Sequence, residues 1–261
     1  MNELNYTTYL KVDELLSLQQ PVSEPEEHDE MLFIVFHQIS ELWFKQLLHE
    51  LDHLCETLHG GHIFRSISAL TRITRIMTTL VNQTDILETL TPLGFNAFRD
   101  RLETASGFQS MQFREIELLL GLKGAEALSY YESDMPGLDA AQRRLESPSL
   151  VDYFYGWLVH HGADLPEEVL TRDMTTACTP HEQVSAEILR LYRSQGELRV
   201  VFELLADLDS GLQTWRYRHL KMVQRTIGNK PGTAGSLGLP YLEKSLFLQA
   251  FPDIWAIRHQ M

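Results

Sequence analysis

Cysteine is nearly absent. Cys55 and Cys178 stand far apart with no CxxC spacing, which argues against a disulfide framework and a thiolate zinc site and leaves two reduced, structural thiols. Basic residues are also scarce. Lys and Arg number 22 against 36 Asp and Glu, and the resulting formal charge of -14 repels phosphate backbones and anionic lipid. Neither nucleic acid nor a membrane is therefore expected as a partner. No apolar run reaches the length of a membrane span, and the opening MNELNYTTYLKVDELL lacks the basic-then-apolar order of a signal peptide. The expected location is the cytoplasm. There is no internal repeat, and no strand-like alternation survives comparison with the helical period. The class this leaves is all-α, a helical bundle, with one domain over residues 1–261 as the simplest division.

What is present is helical periodicity, densest from Glu27 to Leu58, a stretch with no internal Gly or Pro. Leu32, Phe36, Ile39, Trp43 and Leu47 form one stripe and Phe33, His37, Phe44 and Leu48 another, so one long buried helix is expected. Ser23 and Glu26 have capping-box spacing before it, and Gly60-Gly61 ends it. A short helix through Val12 to Leu18 should precede it and stop before Pro21. A second long pattern runs from about Ile63 to Leu90, followed by a turn at Thr91 to Gly94, a helical run from Phe95 to Leu102, a break at Ala105 to Gly107 and a helix from Gln109 to Leu122. Lys123 to Leu150 is polar and broken by Pro136, Gly137 and Pro148, so no helix is read there. Short helical pieces are expected at Ser149 to Val159 and Pro166 to Arg172. Thr179-Pro180-His181-Glu182 reads as the start of a single long helix that carries Trp215, His219 and Met222 to a stop at Gly228. Gly228 to Pro240 is dense in glycine, which suggests a mobile loop, and a last helix should span Tyr241 to Arg258.

Several residues could carry chemistry. His37 lies one turn after Phe33 on a face that should be dry, a plausible wall for an aromatic ligand, although a lone histidine on an apolar face is more often satisfied by a backbone carbonyl. His219 also faces a core. Two buried imidazoles on separate long helices could flank a haem, one ligating iron and the other hydrogen-bonding a ligand on the opposite side. His49 and His53 are four apart but lack the HExxH glutamate and a third ligand, so a solvated face is the simpler reading. The side chains of His160 and His161 diverge on a helix and would not share a ligand. Arg99, beside the small-residue turn ASG, could clamp a carboxylate. The GTAGS loop lacks the phosphate-loop spacing and fits closure over an amino-acid ligand better than a nucleotide site.

Three blocks, EHDEMLFIVFHQISELWFKQLLHEL, FRDRLETASGFQSMQFREIE and WRYRHLKMVQRTIGNKPGTAGS, together resemble tryptophan 2,3-dioxygenases, and the resemblance spans nearly the whole chain. It implies an all-α homotetramer whose long buried helices enclose a b-type haem (heme b, with its iron), with L-tryptophan and dioxygen as substrates and N-formylkynurenine as product. It implies His219 as proximal iron ligand and His37 as the distal residue that binds the indole N–H, with Phe33 packing on the substrate ring and Phe95 beside it. Arg99 would bind the substrate carboxylate, Thr233 the carboxylate and ammonium, and Ser106 would line the haem side. Tyr6, Tyr9 and Leu10 would reach into a neighbouring subunit's site. The sequence departs from the family pattern at Ala234, where glycine is usual, at Thr84, where tryptophan is common, and at Phe95, where some members have tyrosine. Two alternatives stay open. One is a paralogous haem monooxygenase acting on tryptophan or a substituted tryptophan. The other is a non-enzymatic haem-binding sensor, which would need neither Arg99 nor Thr233.

Overall fold

The computed structural model describes residues 4–124, 126–228 and 239–261, and no strand occurs among them. The N-terminal arm is two short helices, α1 (Tyr6–Leu10) and α2 (Val12–Leu16), where one was expected. Lys11 adopts a left-handed conformation between them (φ 52°), and neither buries a residue. α3 (His28–His59) then runs 32 residues, within one residue of the expected bounds.

Its start is set differently from the Ser23/Glu26 reading. Glu30, buried in the first turn, accepts the Val22 and Ser23 amides at 2.8 and 3.0 Å, while the Ser23 hydroxyl accepts the Glu27 amide at 2.9 Å and donates to Glu30. The acid that closes this entry is one turn beyond the one chosen from spacing. Burial of α3 is also uneven. From Phe44 to Leu58 its apolar side chains are in the core, but Ile39 and Leu42 are exposed in the single chain and Leu32 and Trp43 only half-buried.

After the Gly60-Gly61 turn, with Gly61 at φ 68°, α4 (Ile63–Leu87) returns along α3. The predicted turn at Thr91 is instead the cap of α5 (Pro92–Phe98). Its hydroxyl accepts the Gly94 amide at 3.0 Å, and Pro92 takes a first-turn position where no amide is needed. The run then tightens into a 3-10 turn, Arg99–Leu102, and a second one, Gly107–Gln109, is capped by Ser106. α6 (Met111–Leu119) follows.

The polar stretch hides α7 (Leu138–Glu146), which buries only Ala141 and Leu145. It is held by charge: Arg144 forks onto Asp52 of α3 at 2.6 and 2.7 Å, and the Lys123 ammonium donates to the Leu145 carbonyl at 3.0 Å, a cation at a helix C-terminus. α8 (Leu150–His160) and α9 (Glu167–Leu170) match the expected fragments.

The expected long C-terminal helix is two, α10 (Glu182–Ser194) and α11 (Gly196–Ile227), broken where Gln195 is extended (φ -129°, ψ 98°) before a weak helix former, Gly196. Tyr192 donates to Glu203 at 2.8 Å across the bend. The cap of α10 is His181, whose Nδ1 accepts the Gln183 amide at 3.2 Å, and not Thr179. The last expected helix also divides, into α12 (Leu239–Ser245) and α13 (Pro252–Ala256), because Pro252 cannot continue a helix but can begin one. Leu239 and Pro240, expected as loop, open α12; the remainder of the glycine-rich stretch, 229–238 with Thr233 and Ala234, lies outside the described residues.

α4 packs along both α3 and α11, the two most extensive helix pairings, and α6 and α8 cover α3. Phe44, Leu51, Leu70, Phe154, Trp157 and Phe202 meet in the main core. Fully buried Asp209 on α11 accepts the Ala250 and Phe251 amides and the Trp255 indole N–H, at 3.1, 3.3 and 2.7 Å. A buried donor left without its acceptor costs about 1–3 kcal/mol, so this one carboxylate pins the C-terminal segment against α11. With that anchor in place, the second half of α11 faces the first half of α3 across a smaller apolar cluster of Leu87, Leu90, Phe95, Phe98 and Met222.

Candidate active site

Beside that cluster is a cavity of about 250 Å³, walled by α3, α5 with its 3-10 extension, the 105–110 turn, α6, α11 and α12. It brings together Phe33, His37, Phe95, Arg99, Ser106 and His219, residues spread over nearly 190 positions of sequence. Most of the wall is apolar.

Phe33 and His37, one turn apart on α3, have ring centroids 4.2 Å apart. Phe33, Phe95 and Phe98 form an aromatic triangle with centroids 5.4 to 5.6 Å apart. The His37 Nδ1 lies 2.7 Å from the Phe33 carbonyl, which can only accept, so the network assigns the ring proton to Nδ1 and leaves Nε2 with its lone pair. Burial pushes the His37 pKa down, against the opposing pull of that hydrogen bond and of Glu41. The result is a neutral imidazole with one acceptor nitrogen in an aromatic-walled cavity.

His219 is on α11. Its ring stacks on Trp215, 5.1 Å between centroids and 5° between planes, and Trp215 is packed in turn by Phe113 at 4.5 Å. Burial, with a smaller push from His37, lowers the His219 pKa to about 4, so the ring is neutral at any physiological pH. No hydrogen bond engages either ring nitrogen among the described residues. Both histidines retain accessible surface, and as cavity-lining residues they offer it to the cavity.

Among the described residues no three His, Cys, Asp or Glu side chains gather to hold a metal ion. A single neutral imidazole in an apolar cavity suits a metal that brings its other ligands with it, as a porphyrin does, and so the donor set fits a haem ligated by His219. His49 and His53 are exposed, in keeping with a solvated face.

Arg99 is half-buried at the cavity, close in sequence to Ser106, where a carboxylate could be received. Tyr6, Tyr9 and Leu10 do not line the cavity of their own chain and are 76%, 70% and 45% exposed on the arm. The cavity is also lined by residues that sequence reasoning passed over: Glu41, whose carboxylate accepts Gln112 at 2.8 Å, and a cluster of half-buried Arg114 with buried Glu117 and Arg216. Arg216 precedes His219 by three, which puts the two on one face of a helix, and that spacing was a signal available in the sequence.

A sequence profile described as tryptophan 2,3-dioxygenase matches residues 1–162 and 180–261. The chain is 48% identical over 255 residues to a protein named tryptophan 2,3-dioxygenase from Herpetosiphon aurantiacus, covering 98% of this chain and 97% of that one. It is 49% identical to the protein of that name from Anaeromyxobacter dehalogenans, over 98% and 95% of the two lengths. For the one from Caulobacter vibrioides the identity is 42%, over 99% of each. With a profile matching both long blocks and relatives covered nearly end to end, the chain belongs to the tryptophan 2,3-dioxygenase family.

Proposed function

We propose that this protein is a haem-dependent dioxygenase that adds dioxygen across the indole C2–C3 bond of L-tryptophan to give N-formylkynurenine, the first step of tryptophan catabolism by the kynurenine route. The observation that carries the reading is the pair of neutral imidazoles, His37 and His219, on one aromatic-walled cavity that also holds Arg99. His219 would hold the iron of haem b. When bound, the haem supplies dioxygen activation. The chain's own residues do the rest. Phe33 and Phe95 give the indole an apolar, stacking surface and exclude water, while the free Nε2 of His37 accepts the indole N–H and so fixes the ring's orientation. Arg99 takes the substrate carboxylate. By the family likeness Thr233 takes the carboxylate and ammonium, and Ser106 lines the haem side.

An absorption spectrum of the purified protein, recorded with and without tryptophan, tests haem and substrate together. A Soret band that tryptophan perturbs is expected; a protein that takes up no haem, or a haem spectrum indifferent to saturating tryptophan, contradicts the reading. The monooxygenase alternative shares this spectrum and differs in its product.

The proposal includes a homotetramer of single-domain subunits in the cytoplasm. None of the helices described is long and apolar enough to cross a membrane. Support for assembly comes from α1 and α2, which bury nothing against their own chain and expose Tyr6, Tyr9, Leu10 and Leu16. These side chains are expected to enter a neighbour's site. Burying a large apolar side chain is worth roughly 1.5–3 kcal/mol, so deleting the first eleven residues should lower tryptophan turnover about tenfold or more. Full activity from a truncated monomer would remove the arm from the site.

A further inference from the structure

The protein carries a formal charge of -14, yet the described cavity wall has more cationic than anionic side chains: Arg99, Arg114 and Arg216 against Glu41 and Glu117. Glu117 sits between two of these arginines, accepting from Arg114 on one oxygen and from Arg216 on the other. One carboxylate therefore serves two guanidinium groups. Arg216 is only 4% exposed and its Nη1 donates to the Ser245 carbonyl at 3.1 Å. Its Nε–H is buried and has no acceptor among the described residues. A buried charged donor without a partner is costly, and such atoms in folded proteins usually mark a missing ligand or water. Arg216 lines the cavity and lies three residues before His219, about 4.5 Å along the helix axis and on the same face.

We infer that Arg216, braced by Glu117 and Ser245, is the anchor for a carboxylate of the prosthetic group, a porphyrin propionate. The inference rests on the haem reading above. A group ligated at His219 has Arg216 one helical turn away, and of the chemistry that reading brings to the cavity, only the propionates and the substrate carboxylate offer an anion. Arg99, on the 3-10 turn after α5, is assigned to the substrate. Glu117 keeps the two guanidinium groups from repelling each other and fixes the fork of Arg216, leaving one net positive charge in an apolar setting where a hydrogen-bonded carboxylate is held strongly.

The test compares release of iron protoporphyrin IX and of its dimethyl ester from the full-length holoprotein to an acceptor apomyoglobin. Capping the propionates removes the anion and leaves the ring and iron unchanged. The wild-type protein is expected to release the ester faster. In Arg216→Met, haem release should rise about ten- to a hundredfold while ester release changes little, so the ratio of the two rates shrinks by the same factor. The double variant Arg216→Met/Glu117→Gln guards against a folding defect and should show the same shrunken ratio. An unchanged ratio, with both compounds released faster, makes Arg216 a structural residue and overturns the inference while leaving the haem reading intact. Normal haem retention with weakened tryptophan binding assigns Arg216 to the substrate and equally overturns it. A wild-type protein that binds neither compound overturns both.

Discussion

His219→Ala is expected to leave the protein folded and nearly free of haem. The ring accounts for little of the core. It stacks on Trp215 but makes no hydrogen bond among the described residues, so its removal breaks no polar network. What it supplies is a neutral nitrogen, kept so by burial that lowers its pKa to about 4. Changing even a neighbour that merely orients a metal ligand costs roughly 10–100-fold in affinity, and loss of the ligand itself should cost more. His37 is the other imidazole on the cavity, but its Nδ1 is engaged with the Phe33 carbonyl and its ring is packed against Phe33 and Phe36, which fixes it on α3. Haem content and the Soret band read the outcome, and added imidazole, small enough for the vacated space, should partly restore both. A variant with normal haem content and an unaltered Soret band would show that His219 is not the ligand.

Arg99→Leu should act on the substrate and spare the haem. A planar guanidinium can meet a carboxylate with two charge-assisted hydrogen bonds, each worth about 1.5–3 kcal/mol. Losing both should raise the tryptophan concentration needed for half-saturation by roughly a hundredfold or more. Because the lost contact is with the carboxylate alone, the variant should also lose its preference for tryptophan over tryptamine. The Soret spectrum without substrate should match the wild type. Unchanged saturation by tryptophan would take Arg99 out of the site.

The helices were legible wherever one face is continuously apolar. α3 begins and ends within one residue of its expected bounds because periodicity and the Gly60-Gly61 stop agree. α7 was not legible because it buries so little and is held by Arg144 reaching Asp52, 92 residues away, a tie that no local pattern contains. The start of α10 has the same origin. Asp253 accepts the His181 amide at 2.7 Å and the Ser185 hydroxyl at 2.9 Å, setting where α10 begins from the far end of the chain. Pro252 is by contrast a local signal for the break before α13.

In the cavity, His37 and His219 stood out because an imidazole on an apolar stripe violates the pattern around it. Arg216 and Glu117 did not, since a charged residue on a long helix reads as solvated until the fold shows both buried. The N-terminal arm is a third case. Its apolar residues predicted a short helix, and in the single chain α1 and α2 bury none of them.

Both atoms of one dioxygen are expected to enter unmodified tryptophan and open its ring. The roles proposed for Arg99, Thr233 and His37 would suit a free amino acid with an intact indole N–H. Turnover of tryptophan under isotopically labelled dioxygen, with the product weighed at once by mass spectrometry, decides the matter. N-formylkynurenine carrying two labelled oxygen atoms is the expected product. A ring-intact oxindole carrying one labelled atom would contradict it and establish the monooxygenase.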